Sequence, residues 1–465
     1  MPNDFPVLNV DLLRRYDRPG PRYTSYPTAP HFRADFGVAR LREHAQRSNA
    51  AQRSLSLYFH IPFCFSPCFY CACTRLITRD TARGGPYIRR LLHELHLLQD
   101  LIAPGREVVQ LHLGGGTPNF LGAAELEELM QRVGHAFRLS SSPERAFSIE
   151  LDPRHVPEGY PSTLTGLGFN RVSLGVQDFD PEVQRAVNRM QSVAETLDLI
   201  ELCRDSGVRS VNVDLIYGLP RQSPVGFRRT LRTVMSARPD RLAVYAYAHL
   251  PELFKGQRRI DPASLPGPEA RLDLLRLAIE ELGTGGYRYI GMDHFALPGD
   301  DLVRAKEAGG LQRNFMGYTT HADTDLLGLG MSAISHIGDS FSQNYRELKS
   351  WESALDADGL PLWRGLALSE DDSVRSAVIG ELMCRGAIEI PAIERRYRLD
   401  FAAYFADALA RLMTLAADGL VRIEPERISV TPAGRLLLRS VAMCFDRYLD
   451  GREASAAPVP YSKVI

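Results

Sequence analysis

Lysine is nearly missing from this 465-residue chain: Lys255, Lys306, Lys349 and Lys463 are the four, and arginine carries the rest of the positive charge. Genomic composition is the plain reading, with carboxylate recognition a secondary one, since guanidinium forks suit carboxylates. Net charge is missing too, at −1, which excludes a global affinity for polyanions. No stretch approaches the roughly 18 apolar residues needed to cross a bilayer. The opening residues, with Asp4, Asp11 and Arg14 and no long apolar run, do not read as a secretory leader. The expectation is a soluble cytoplasmic protein with no membrane partner. Cysteine is sparse, at seven residues, but four of them fall between Cys64 and Cys73. In a cytosolic chain such a cluster reads as metal binding or redox chemistry rather than disulfides. Cys203, Cys384 and Cys444 stand alone on helix-like segments and read as buried core thiols.

What is present is a repeating pattern. Residues 1–40 do not read as a packed unit: Gly20, Pro21, Pro27 and Pro30 interrupt them, yet Arg22, Tyr23, Tyr26, His31 and Phe32 make them too sticky for a loose linker. From Ser54 onward strands and helices alternate. Strands are predicted at Leu55–Phe59, Val108–Leu113, Ala146–Leu151, Arg171–Val176, Ser210–Ile216 and Arg241–His249, with helices between them, and a helix at Pro268–Leu282 follows. Serial strand–helix units imply a parallel sheet with right-handed crossovers. Six units are too few for a closed eight-stranded barrel, so the expected fold is α/β, a partial (βα)6 barrel. Such sheets place chemistry at the C-terminal ends of the strands. The unusual residues fall there: the cysteine loop, Gly114–Thr117, Glu150, Gln177, Asp214 and His249.

Residues 300–365 are rich in glycine and polar residues. Beyond about Ser369 the chain turns helical, and Phe401–Ala416, Gly419–Ile423, Ile428–Thr431 and Pro432–Val441 together resemble a winged helix. Arg435 and Arg439 make only a thin basic surface with little aromatic interleaving, so a packing module or lid is expected and nucleic acid is not.

The cysteine loop runs Cys64-Phe65-Ser66-Pro67-Cys68-Phe69-Tyr70-Cys71-Ala72-Cys73. Its C-x3-C-x2-C spacing brings three sulfurs into one compact loop. Structural zinc wants four protein ligands, and Cys73 or His60 could supply a fourth. Iron–sulfur clusters also usually take four cysteines. Three leave one iron without a protein ligand, open to a substrate or cofactor.

With an aromatic residue before the third cysteine and a first barrel strand ahead of it, this loop resembles that of radical S-adenosylmethionine (SAM) enzymes. The resemblance implies a [4Fe-4S] cluster on Cys64, Cys68 and Cys71 whose open iron chelates SAM, and a 5′-deoxyadenosyl radical made from it. Gly114-Gly115-Gly116-Thr117-Pro118, one unit later, looks like the family's motif for the SAM amino group, and bare glycines allow close backbone approach. Glu150 could accept from ribose hydroxyls or oppose the sulfonium.

A narrower resemblance covers nearly the whole chain. Arg22–Pro27, Cys71-Ala72-Cys73, Gly175–Phe179, Asn188-Arg189, Asp214–Pro220, Tyr247–Pro251, Gly291–Phe295, Tyr318–Thr320, Asp323–Gly328, Trp363–Gly365 and the tail Tyr461–Ile465 are similar to the oxygen-independent coproporphyrinogen III oxidases. That family implies anaerobic conversion of coproporphyrinogen III to protoporphyrinogen IX in haem synthesis. Two propionates each lose a β-hydrogen, CO2 and one electron and become vinyl groups. It implies two SAM molecules: Tyr58, Gly115, Glu150 and Ile334 match positions around the first, and Tyr70, Gly116, Thr117, Gln177, Arg189, Asp214 and Ala248 match positions around the second. Tyr58 and Cys73 are the candidate catalytic residues, Cys73 in a role other than fourth ligand. Arg22 and Tyr23 belong to an arm that would meet the substrate. The implied domains are an N-terminal arm over the active site (1–50), a radical SAM partial-barrel catalytic domain (51–365) and a mostly helical, winged-helix-like C-terminal domain (366–465). The implied partners are the small-molecule substrate and a one-electron donor such as a flavodoxin or ferredoxin. Near-neutral charge and no obvious apolar exposed helix point to a monomer. One departure is Met316, where the family's pattern leads one to expect glutamine. The alternative reading is a haem chaperone of the same superfamily, which typically lacks the fourth cysteine and the long arm, both present here.

Overall fold

The computed structural model describes residues 5–450 and Tyr461. The tail pattern at 462–465 lies outside these residues. The chain separates into two compact units, one of residues 1–31, 268–322 and 368–465, the other of residues 32–267 and 323–367.

The second unit is built on one sheet. Its strands are β1 (Leu55–Ile61), β2 (Glu107–Gly115), β3 (Ala146–Leu151), β4 (Arg171–Gln177), β5 (Ser210–Tyr217), β6 (Arg241–Ala246), β7 (Asp325–Leu329), β8 (Ile334–Ile337), β9 (Ser340–Asn344) and β10 (Leu362–Ala367). They lie side by side in the order β6-β5-β4-β3-β2-β1-β7-β8-β9-β10. From β6 to β7 neighbouring strands are parallel, and β8–β10 turn back antiparallel. Within this unit no pairing among the described strands closes the sheet into a ring. The six serial units and the partial barrel expected from the sequence are therefore observed.

β1 shows why the pattern works. Leu55, Leu57, Phe59 and Ile61 are fully buried, and Ser56 and His60 on the other face are buried too. Parallel strands carry cover on both faces, so strict alternation fades. The helix Gly84–Gln99 that follows the cysteine loop buries Tyr87, Ile88, Leu91, Leu95 and Leu98 at helical spacing.

The glycine- and polar-rich residues 300–365 contain strands: β7 is buried along its whole length, with Gly328 and Gly330 where side chains would collide with Ile334, Tyr87 and His60. Glycine there marks close packing, not a loop. Residues 401–416 of the winged-helix-like stretch form two helices, Phe401–Tyr404 and Ala406–Ala417, with Phe405 between them. Arg439 is not a surface residue: it is 3% exposed and donates to the carbonyls of Gly20 and Pro21.

In the first unit the helices Glu370–Arg385, Ile390–Tyr397 and Ala406–Ala417 pack with strands Ala387–Glu389, Val421–Ile423 and Arg427–Val430, the last in the middle. This is the winged-helix-like arrangement expected. Leu13, Tyr23 and Tyr26 from the N-terminal segment join the same core as Val378, Leu382, Phe401 and Phe445. Cys203, Cys384 and Cys444 are buried, as read from the sequence. No helix among the described residues is long and apolar enough to cross a membrane.

Candidate active site

The cysteine loop leaves the C-terminal end of β1, and its backbone is fastened from three directions. Arg75 donates to the carbonyls of Cys71 (2.9 Å), Cys68 (3.2 Å) and Cys73 (3.3 Å). Gln257, 1% exposed, donates from Nε2 to the Tyr70 carbonyl at 3.0 Å and the Ala248 carbonyl at 3.1 Å, so the loop is tied to the chain beyond β6. The Phe69 N–H donates to the Val187 carbonyl at 2.9 Å.

The thiols then meet a ring of donors. Thr117 Oγ1 lies 3.4 Å from Cys64 Sγ, Arg189 Nη1 3.5 Å from Cys68 Sγ and Arg154 Nη2 3.8 Å from it. Both guanidiniums hold Asp152, which is 8% exposed, at 3.2 Å for Arg189 and 2.5 Å for Arg154. Burial alone would raise the Asp152 carboxyl, but Arg189 and Arg154 hold it well below the usual carboxylate range. Burial pushes the Cys64 thiol up to about 11. Cys71 is brought down, chiefly by its hydrogen bond with Cys73, and that shared bond pushes Cys73 up.

A second group of polar residues lies along the ends of β1 to β5. Tyr58 stands in register with His112 on β2 and Gly328 on β7. Its ring stacks on His112 at 5.9 Å, and its hydroxyl is 3.0 Å from His60 Nδ1. Glu150 accepts from the Gly115 N–H at 3.2 Å and lies 3.4 Å from His112 Nε2. Burial works against the charge of Glu150, yet His112 and the Gly115 N–H keep its carboxyl below its ordinary value. Asp214 accepts from Asn212 (2.9 Å) and Ser173 (3.0 Å), and burial together with the nearby Glu150 charge pushes it up to about 6. Gln177 sits at a bulge in β4 with φ of 68°, a left-handed conformation. The Ile334 backbone lies against Gly328, leaving no room for a Cβ there.

The residues singled out from the sequence thus fall into two linked sets. Cys64, Cys68, Cys71, Tyr70, Thr117 and Arg189 surround the thiols. Tyr58, Gly115, Glu150, Asp214 and Cys73 form the other set, since the Glu150 charge acts on Tyr58, Cys73 and Asp214 alike. Gly116 lies against the loop itself: a Cβ there would stand 2.6 Å from the Pro62 backbone. Ala248 is joined through Gln257, and Gln177 through Gly175, whose carbonyl accepts from Arg189 at 2.5 Å. Arg22 and Tyr23 belong to the other unit, where Arg22 pairs with Asp293 and the buried Tyr23 donates to Asp446 at 2.9 Å.

Asp152, Arg154, His112, Arg75 and Gln257 were not anticipated. Asp152 follows the last residue of β3, a position where the parallel sheet puts chemistry, and that signal could have found it. His112 shares parity with Gly114 along β2. Gln257 carries no local signal.

The donor set suits an iron–sulfur cluster with an open iron. All three thiols are free, and guanidinium and hydroxyl donors stand ready for sulfur that carries negative charge. Arg189 keeps a buried Nε–H with no partner among the described residues, a donor left over for an anionic group such as a carboxylate. Gly115 and Gly116 keep side chains out of the rim: a Cβ on Gly115 would stand 2.5 Å from His60.

Similar proteins are known. The family model of the radical SAM superfamily matches residues 58–234, and that of the HemN C-terminal domain matches residues 368–437. The chain is 49% identical to the oxygen-independent coproporphyrinogen III oxidase of Pseudomonas aeruginosa over 95% of its own length and 96% of the relative's. It is 47% identical to the protein of that description from Escherichia coli, over 95% of each. It resembles the solved structure of coproporphyrinogen III oxidase (HemN) from Escherichia coli, described as a radical SAM enzyme, with a TM-score of 0.91 at 45% identity, over 95% of this chain and 99% of that one.

Proposed function

The chain belongs to the oxygen-independent coproporphyrinogen III oxidases of the radical SAM superfamily, and on that premise we propose that it turns two propionates of coproporphyrinogen III into the vinyl groups of protoporphyrinogen IX. One observation carries the reading: three free thiols in the loop that leaves β1 are met by donors from Thr117, Arg154 and Arg189, next to the pair of Gly115 and Glu150 on β2 and β3.

In this reading Cys64, Cys68 and Cys71 hold a [4Fe-4S] cluster. With SAM bound, that group supplies a 5′-deoxyadenosyl radical. The protein's part is positioning and exclusion of water. Arg75 and Gln257 fix the loop. Arg189 and Arg154 balance the negative charge of the Cys68 thiolate. Tyr58, Gly115, Glu150 and Ile334 surround a first SAM, with Glu150 offering acceptors to ribose hydroxyls. Tyr70, Gly116, Thr117, Gln177, Arg189, Asp214 and Ala248 surround a second, with Arg189 forking onto its carboxylate. Tyr58 and Cys73 face the reacting groups, and Arg22 and Tyr23 meet the substrate. Each propionate gives up a β-hydrogen, then CO2 and one electron, and the vinyl group forms without oxygen.

The test is turnover by the anaerobic, reconstituted protein with SAM and a one-electron reductant. Protoporphyrinogen IX is the expected product. SAM cleavage by an intact cluster without that product rejects the substrate assignment, and stoichiometric haem binding without turnover points to the haem chaperones instead.

A further inference from the structure

The second unit also carries a surface beside the rim that shares Arg154 with it. Phe65, Arg79, Arg154, His155, Asn188 and Met190 line an open depression of about 440 Å³. Its floor includes Phe65, in the arc of chain between the first two loop cysteines. The wall is fastened to that floor: Asn188 Nδ2 donates to the Pro67 carbonyl at 2.7 Å, and the Phe69 N–H binds the Val187 carbonyl at 2.9 Å. Arg154 lines the depression and also reaches to 3.8 Å from Cys68 Sγ. A molecule seated here is one side chain away from a proposed cluster ligand.

The chemistry of the surface is uneven in an informative way. Met190 is 53% exposed, and the Phe65 ring packs on His155 at 4.4 Å, so an apolar centre faces solvent. Arg79 and Arg154 line the depression, and Arg154 shares the Asp152 carboxylate with the buried Arg189. Arg79 is exposed and has no ion-pair partner among the described residues. The neighbouring Asp80 spends its carboxylate capping the Ala82 N–H at 3.2 Å. Burial lowers the pKa of His155, Asp152 pulls it back, and the charges of Arg154, Arg189 and Arg79 press it down again. Arginine, methionine and aromatic side chains are the types enriched at the cores of protein interfaces. A positive field of this kind steers acidic partners.

We propose that this depression is the docking surface for the protein that delivers the electron, an acidic carrier of the flavodoxin type. This rests on the cluster reading above. The apolar centre of Phe65 and Met190 fits the apolar edge of an exposed flavin, and the arginines fit an acidic rim around it. The flavin hydroquinone gives up one electron and becomes the semiquinone with loss of a proton to solvent. The iron centre behind Cys68 is reduced by that one electron, and no covalent bond forms or breaks in the transfer.

The experiment uses the full-length reconstituted protein with a flavodoxin, and the variants Arg79→Glu and Met190→Glu. Neither residue touches the thiols. Binding is followed by calorimetry at low and high salt, and 5′-deoxyadenosine formation is measured with flavodoxin hydroquinone and separately with dithionite. Each variant should weaken flavodoxin binding tenfold or more and lower flavodoxin-driven SAM cleavage by a similar factor, with dithionite-driven cleavage unchanged. Wild-type affinity should fall as salt rises. Unaltered flavodoxin affinity in both variants overturns the proposal. So does a dependence on Arg79 seen only with a ferredoxin. Failure of the wild-type protein to cleave SAM with dithionite overturns the cluster reading instead, while the binding arm still decides the docking surface.

Discussion

Gln257 donates to the Tyr70 carbonyl at 3.0 Å, joining a buried amide to the backbone of the cysteine loop one residue before Cys71. The same Nε2 serves the Ala248 carbonyl at 3.1 Å, and its Oε1 accepts from the Leu250 N–H at 2.5 Å. One side chain thus sets the distance between the loop and the chain beyond β6.

Gln257→Leu keeps the volume and removes all three hydrogen bonds. Each buried polar group left unpaired costs about 1–3 kcal/mol. The variant should unfold at lower temperature and take up less iron and sulfide on reconstitution. Wild-type melting together with wild-type iron content would show that the strut is dispensable.

Alanine at Cys64, Cys68 or Cys71 should abolish the brown absorbance of the reconstituted protein, because in the proposed reading each thiol holds the cluster. Cys73→Ser should keep that absorbance and lose turnover. Visible spectra and iron analysis decide this, and a colourless Cys73→Ser protein would mean that Cys73 is a ligand.

The sequence made the loop and the strand ends readable because both are local: a spacing of thiols, a glycine run, a carboxylate closing an apolar stretch. β7–β10 escaped because their glycines look like loop residues until Gly328 is seen against Ile334 and Gly330 against Tyr87 and His60. The buried sites of Gln257 and Arg75 escaped for a related reason, since their partners lie in loop carbonyls that any sequence supplies. Nor does local pattern show that 268–322 clusters with the C-terminal residues rather than with the sheet before it. The Arg189–Asp152–Arg154 group was half legible: Arg189 stood out by resemblance, whereas Asp152 needed the strand-end argument carried one residue further.

Gly116 is required by contact. An added Cβ would stand 2.6 Å from both the carbonyl carbon and oxygen of Pro62 and 2.8 Å from the Phe63 oxygen, all backbone atoms that cannot rotate away. Gly116→Ala should cost about 1–3 kcal/mol, the usual range for overpacking, and should displace the start of the cysteine loop. Reduced cluster loading and a lower melting temperature are expected. Gly37→Ala, where nothing lies within 4 Å of the new Cβ, is the control and should change stability by less than about 0.5 kcal/mol. Equal behaviour of the two variants would refute the contact argument.

Glu94 makes stability depend on pH. It is fully buried and accepts from the Gly330 N–H at 2.8 Å, Trp351 Nε1 at 3.0 Å and Asn344 Nδ2 at 2.5 Å. Burial outweighs these three donors and pushes its carboxyl up to about 7. In the unfolded chain a glutamate titrates near about 4.3. Between those values the folded protein keeps a proton that the unfolded chain has lost, so this group's contribution to stability falls as pH rises and is fully lost above about 7. At ~1.4 kcal/mol per unit the change is about 3–4 kcal/mol. Glu94→Gln cannot titrate, and its amide faces the Asn344 Nδ2 donor, which is already committed to the Gly330 carbonyl at 2.8 Å. The variant should therefore be less stable than wild type at pH 5, and the gap should narrow by about 3 kcal/mol on reaching pH 7.5. Denaturant unfolding of both proteins across that range measures the gap directly, and a gap that stays constant would remove Glu94 as its source.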